Sequence, residues 1–222
     1  TSKDKTLEKY TSVLRENVEE LNGLIQEILD FRKAEDAGFS HTHIRRVSVS
    51  SLLRTQFEWF YPLSEQHQIQ FKIDAPKELY WNTDSVYFKK ILANLISNAF
   101  KYTEDGGTVR ISLHEEENFL VLKVYNTGKG IEEADMQNIF DRYRILGTMD
   151  NDDNRQNTTR NGLGLFICHS LVQSLGGKID IESEVGQYAE FTVTLPFGIV
   201  EETSDNTIDE EIPVSLPSPN TD

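Results

Sequence analysis

The sequence predicts an α+β protein: a two-layer α/β sandwich preceded by a long helix of a dimeric helical bundle. Three observations predict it. Between residues 46 and 199, stretches of strand-like alternation and stretches of helical periodicity mix without strict βαβ order, which favours a layered sandwich over a doubly wound sheet. Residues 4–33 carry an uninterrupted apolar stripe at helical spacing. Hydrophobic residues make up 37% of the 222, with 12 Phe and 8 Tyr, enough to fill a core.

The first element is the stripe. Leu7, Leu14, Leu21 and Ile28 lie seven apart; Val18 and Ile25 follow members of that set at four, and Tyr10, Leu24 and Phe31 at three. The stripe is wider than a two-stranded seam and suits a bundle. Thirty helical residues form a rod of about 45 Å, which needs partner helices from elsewhere or from a second chain; the alternative is a helix packed on its own domain. Gly38 in "EDAGFSHTH" ends it. "SVSSLLRTQFEWFYPLSEQ" reads as a helix with a kink risk at Pro62. "IQFKIDA" alternates as a strand, and Asp84 caps a helix through "SVYFKKILANLISNAFKY". "TVRISLHEEE" and "FLVLKVYN" read as strands and "EEADMQNIF" as a short helix. Residues 147–161 show no periodicity and one large apolar side chain, Met149; loops of this length in compact domains are lids or disordered. "LGLFICHSLVQSL" is a helix stopped by Gly176-Gly177, and "KIDIESE" and "EFTVTLPF" are the last strands.

Composition excludes several classes. No apolar window of about 18 residues exists to span a bilayer, and no secretory signal pattern opens the chain. The lone Cys168, in an apolar helical run, excludes a disulfide framework and reads as packing. A net charge of −15 argues against binding nucleic acid through its phosphates. Close to half of that charge lies in residues 201–222, with seven carboxylates, no Lys or Arg and three of the six prolines. That segment reads as an acidic disordered linker or tail.

Two constellations carry chemistry. Asn94, Asn98, Lys101 and Tyr102 stand at i, i+4, i+7 and i+8, on one helix face. Amide oxygens suit Mg²⁺ and a lysine suits phosphate, although a solvated polar face has the same spacing. In "RNGLGLFIC", Gly162 and Gly164 open a helix whose free N–H groups favour phosphate. The pattern is neither a Walker A loop nor a dinucleotide fingerprint.

"NLISNAFKYT", "NTGKGI", "IFDRYRI" and "NGLGLFIC", in this order, resemble the N, G1, F and G2 boxes of the sensor histidine kinases, and "VEELNGLIQEILDFRKAE" resembles the second helix of their dimerisation and phosphotransfer domain. The resemblance spans most of residues 7–197. It implies a Bergerat-type ATP-binding sandwich, as in Hsp90 and gyrase, with a flexible lid between the F and G2 boxes. It divides the chain into a partial phosphotransfer helix and connector (1–45), an ATP-binding catalytic domain (46–199) and the tail (200–222). Asn98 is then the Mg²⁺ ligand, supported by Asn94. Lys101 and Arg144 reach phosphate, with Arg142 and Arg160 as further cationic candidates. Tyr102, Asn126, Gly128 and Gly130 border the nucleotide base, Gly162, Leu163 and Gly164 its phosphates, and Phe140 anchors the lid.

The implied activity is transfer of the γ-phosphoryl of ATP to a histidine on an upstream helix, and onward to a response-regulator aspartate. The implied partners are a second copy of the chain and a receiver domain, which the acidic tail would join if it is fused. The implied setting is the cytoplasmic domain of an inner-membrane protein, reached by the membrane only through upstream segments. Related ATPases of this fold carry a water-activating glutamate near the position of Asn94, whose neutral amide favours transfer over hydrolysis. The alternative is a catalytically weak nucleotide-binding or dimerising module.

Three departures from the family pattern stand out. Asn126 replaces an aspartate that accepts from the adenine amino group; its amide can also accept, and, if it flips, discrimination against GTP relaxes. Tyr188-Ala189 replaces a small Gly-Thr pair. The acceptor-histidine box lies upstream of residue 4, and His41 and His43 stand after the wrong helix to replace it. His67, His114 and His169 read as surface or core residues.

Overall fold

The computed structural model describes residues 42–141 and 164–199. The helix expected at 4–33, His41, Arg142, Arg144, Arg160, Gly162, Leu163, the loop 147–161 and the tail lie outside the described residues.

The domain is built from β1 (Arg45–Ser48), α1 (Val49–Gln66), β2 (Gln70–Asp74), β3 (Tyr80–Thr83), α2 (Ser85–Tyr102), β4 (Thr108–Glu116), β5 (Phe119–Thr127), α3 (Glu133–Met136), α4 (Gly164–Ser174), β6 (Lys178–Glu184) and β7 (Tyr188–Pro196). Five strands form one sheet in the order β2-β4-β5-β7-β6. Only the β2–β4 pair is parallel; the others are antiparallel. Strand alternation assigns the sheet its two faces. Val109, Ile111 and Leu113 of β4, Leu120, Leu122 and Val124 of β5, and Phe191, Val193 and Leu195 of β7 are buried. Of the residues between them, Val121 is buried too, whereas Arg110, Tyr125 and Glu190 are half-buried or exposed.

Helix α2 covers the inner face of this sheet. Phe88, Ile91, Leu92, Leu95, Ile96, Ala99 and Phe100 repeat at helical spacing and are buried. Each large one contributes about 2 kcal/mol by leaving water. Asp84 fixes where the helix starts: its Oδ1 accepts from Val86 N (2.8 Å) and Tyr87 N (3.1 Å), and its Oδ2 from His43 N (2.9 Å). Burial and the Asp84 charge raise the Tyr87 phenol above its ordinary pKa. Helix α1 is capped by Ser48, continues through Pro62 and packs on α2, where Phe60 stacks on Phe100. Helix α4 buries Ile167, Cys168, Leu171 and Val172 and stops at Gly176, whose φ of +70° a Cβ would strain.

The sequence reading missed β1 and β3, which pair antiparallel as a separate two-stranded ribbon. Four residues are too short to establish a period, and Arg45-Arg46 looks like loop.

Candidate functional site

Helix α2 places Asn94, Asn98 and Lys101 half-buried, off the face that fills the core. Tyr102 is exposed, with Lys101 Nζ 5.7 Å from its ring centroid. The helix thus divides into an apolar side on the sheet and an amide-and-lysine side. Helix α4 begins against that second side: a Cβ on Gly164 would stand 3.2 Å from Asn94 Oδ1. The amide helix and the N-terminal end of α4 therefore share one cleft wall, suited to anionic oxygen.

The other wall is the end of β5. Asn126 continues the inner-face series Leu120, Leu122, Val124 and is buried, between Val109 and Ala189 in register. Its Nδ2 donates to Thr127 O at 3.1 Å. That bond sets the amide with the nitrogen toward the carbonyl, and Oδ1 is the acceptor end. A flip would break the bond and oppose two oxygens, so the flip considered from sequence carries a cost. Thr127 is itself fixed to β4, its Oγ1 accepting from Thr108 N at 2.8 Å.

Gly128 and Gly130 approach the protein's own backbone closely. A Cβ on Gly128 would collide with the Tyr102 carbonyl oxygen, and one on Gly130, at φ +65°, with the Glu184 carbonyl oxygen. Gly128 N donates to Gln187 O (3.1 Å) and Gly186 N to Lys129 O (2.7 Å). Ser183 Oγ accepts from Ile131 N (2.9 Å) and donates to Tyr188 O (2.6 Å). The turn after β5 is thereby pinned between the C-terminus of α2 and the β6–β7 hairpin. Sequence reasoning missed the struts Thr127 and Ser183, whose partners lie 19 and 52 residues away with no spacing to signal them.

Phe140 is half-buried, stacked on His169 of α4 (5.3 Å between centroids) and edge-on to Phe191 (6.5 Å). It anchors the end of the described segment. Tyr188 lies on the outer face, stacked on Tyr125 at 5.4 Å with its hydroxyl donating to Glu182 (2.8 Å); that bond, with burial and nearby carboxylates, raises its pKa. Ala189 is buried beneath the sheet. His67 pairs with Asp105 (2.9 Å) and His114 with Glu116 (3.5 Å), both at the surface. Among the described residues there is no cluster of three His, Cys, Asp or Glu able to hold a metal. A hard cation in this cleft would therefore rest on amide oxygen and on the oxygens of its ligand, a donor set that fits Mg²⁺.

A cleft between an amide-bearing helix, a helix N-terminus and a glycine turn at a strand end, on a mixed five-stranded sheet, defines a nucleotide-binding sandwich. Residues 83–199 match the family model described as histidine kinase-, DNA gyrase B-, and HSP90-like ATPase, and the chain belongs to that family. The circadian input-output histidine kinase CikA of Synechococcus elongatus is 32% identical over 191 residues, 85% of this chain and 25% of CikA. Full-length ShkA, solved in complex with AMPPNP, superposes with a TM-score of 0.71 at 26% identity, over 86% of this chain and 38% of that one. Histidine kinase ThkA, solved with the response regulator TrrA, shares the fold (TM-score 0.67, 22% identity, 87% of this chain and 52% of that one). The chain spans between 16% and 33% of the length of the curated sensor proteins and kinases it matches.

Proposed function

We propose that this chain carries the ATP-binding catalytic domain of a sensor histidine kinase, within residues 46–199, and that it transfers the γ-phosphoryl of ATP to a histidine on a helix of the phosphotransfer bundle. The observation that carries the reading is the meeting of Asn94 with Gly164 and of Tyr102 with Gly128, which brings amide helix, glycine turn and helix N-terminus around one cleft. It is supported by the family match and by homology to sensor kinases. In this reading Mg²⁺, when bound, neutralises phosphate charge. Asn98 holds it through the amide oxygen, Lys101 faces phosphate, and Asn126 accepts from the adenine amino group. Gly162, Leu163 and Gly164 give backbone N–H groups to the phosphates, with Arg144 as a further cation.

Positioning and charge neutralisation are the protein's whole contribution. An imidazole nitrogen forms the N–P bond as the bond from the γ-phosphorus to the bridging oxygen breaks, ADP departs with that oxygen, and the imidazole gives up its N–H proton. Asn94 is a neutral amide against Gly164 and cannot take a proton from water, so transfer prevails over hydrolysis. The phosphoryl group then passes to a receiver aspartate, in a separate regulator or one joined through the acidic tail. Residues 1–45 supply the second bundle helix and its homodimer contact, and the domain sits on the cytoplasmic side of an inner membrane. No described helix is long and apolar enough to cross a membrane.

The test joins a phosphotransfer helix to this chain and follows acid-labile label from γ-labelled ATP. Asn98→Ala should abolish labelling and weaken Mg-ADP at least about tenfold. Absence of any thermal shift with millimolar Mg-ADP would favour the dimerising-module alternative.

A further inference from the structure

The chain enters and leaves this domain on the same four residues. Strand β3 pairs with the entering strand β1, Arg46 opposite Asn82 and Val47 opposite Trp81. The last residue of β7 and the segment departing from it are bonded to those two β3 residues. Trp81 Nε1 donates to Pro196 O (2.9 Å), Gly198 N donates to Asn82 O (3.0 Å), and Asn82 Nδ2 donates to Gly198 O (3.1 Å). Phe197 meets the Trp81 ring edge-on at 5.0 Å. Entry and exit also touch directly, since a Cβ on Gly198 would stand 2.7 Å from both Asn82 O and Ile44 Cγ2. One residue beyond β3, Asp84 holds His43 N with one carboxylate oxygen and the first turn of α2 with the other.

We propose that residues 196–198 form a reversible latch that couples whatever follows residue 199 to the entering connector, residues 42–48, and to the start of α2. Two features make it a latch rather than part of the core. Its bonds are few and mostly polar, and its apolar side chains remain largely in water: Phe197 is 54% and Ile199 85% exposed. The sheet, moreover, ends at Pro196, its first residue, and the part that moves is 197–199. Strand β7 pairs with β5 through Pro196, so the segment beyond can detach without opening a sheet ladder. When it detaches, Gly198 leaves the Asn82 edge, Ile44 loses a neighbour, and the connector keeps its pairing with β3 and the Asp84–His43 bond. A force or a partner acting on the C-terminal side is thus felt at the connector, and the reverse holds by reciprocity.

The chain reports on this corner itself. It has two tryptophans, Trp59 at 80% exposure and Trp81 at 2%. In a Trp59→Phe background of the full chain, Trp81 emission reads the latch. Gly198→Ala wedges it open sterically, and Asn82→Ala removes one of its bonds. Each should shift Trp81 emission to the red and raise acrylamide quenching. Hydrogen exchange at the amides of residues 43–46 and of Val86 and Tyr87 should rise at least about tenfold, while exchange in β4 and β5 stays as in the parent. Two outcomes overturn the proposal: unchanged exchange at residues 43–46 in both variants, or a rise that spreads through β4 and β5, which would make the segment an ordinary part of the core.

Discussion

Replacing Asn126 by aspartate tests the proposed base end of the cleft and separates two effects that share one side chain. The amide is 5% exposed and its Nδ2 donates to Thr127 O at 3.1 Å. Asn126→Asp removes that donor, a loss of about 1 kcal/mol. It also sets an oxygen against the carbonyl in a nearly dry site, which costs about 1–3 kcal/mol more. A domain of this size loses about 2–4 °C of melting temperature per kcal/mol, so the nucleotide-free variant should melt roughly 5–15 °C lower at pH 7. The deficit has a sign in pH. Burial raises the new carboxyl above its unfolded pKa, so stability is retained below about pH 4, where a protonated carboxyl can donate to Thr127 O, and is lost as pH rises. Binding moves the other way: a charged acceptor for the adenine amino group strengthens ADP about five- to tenfold. Differential scanning fluorimetry from pH 4 to 8, with calorimetric titrations of ADP and GDP, measures both. A nucleotide-free melting temperature within about 1 °C of wild type at pH 7 would refute the anchoring of the amide. Equal binding of ADP and GDP by wild type would refute its consequence for the base.

Three further outcomes follow from the same contacts. Gly130→Ala forces a Cβ onto the Glu184 carbonyl at φ +65° and should destabilise by about 3 kcal/mol or more, read as a lost or much lower denaturation midpoint. Gly164→Ala asks Asn94 Oδ1, 3.2 Å from the added carbon, to yield a few tenths of an ångström; stability should fall by less than about 1 kcal/mol while Mg-ADP weakens several-fold, and intact affinity would remove Asn94 from the cleft wall. The Cys168 thiol is pushed up by burial from 9.0 to about 12, so the unfolded chain loses its proton first as pH rises. That part of the stability is whole below pH 9 and declines between there and 12, and Cys168→Ala should flatten the alkaline limb of a stability–pH curve.

What was legible in the sequence was what is written locally. Asp84 announced the start of α2 because an N-cap acts within three residues, and the apolar period of that helix named its buried face. Strands β4 and β5 were legible through alternation along nine residues each. The glycine turn after β5 was legible only as a demand for close approach. Which backbone it approaches, Tyr102 on one side and Glu184 on the other, depends on pairings 26 to 54 residues away. The β1–β3 ribbon failed for the same reason: Trp81 is buried beneath Pro196 and Phe197, 115 residues downstream, and nothing near Tyr80–Thr83 foretells it. Resemblance reached further than periodicity here, because boxes read in order carry tertiary information that no single window holds. For Arg144, Gly162 and Leu163, which lie outside the described residues, that resemblance is the support.

The contacts that shape the cleft are mostly backbone on backbone or backbone on a short polar side chain. Gly128 meets the Tyr102 carbonyl, Gly130 the Glu184 carbonyl, Gly164 the Asn94 amide, and Ser183 bridges Ile131 and Tyr188. Such contacts leave little rotamer freedom to absorb an error, so the positions of Asn126 and Asn94 are set before any ligand arrives. A site preorganised in this way spends less of its binding free energy on ordering, which suits the proposed cycle of nucleotide binding, transfer and release. It also means that the glycines are structural first. Substituting them should lower stability and nucleotide affinity together, whereas substituting Asn98, half-buried and off the core face of α2, should lower affinity alone. A panel in which both kinds of variant lost affinity in proportion to their loss of stability would show that Asn98 too is only packing, and the proposed metal-bearing role of the amide face would go with it.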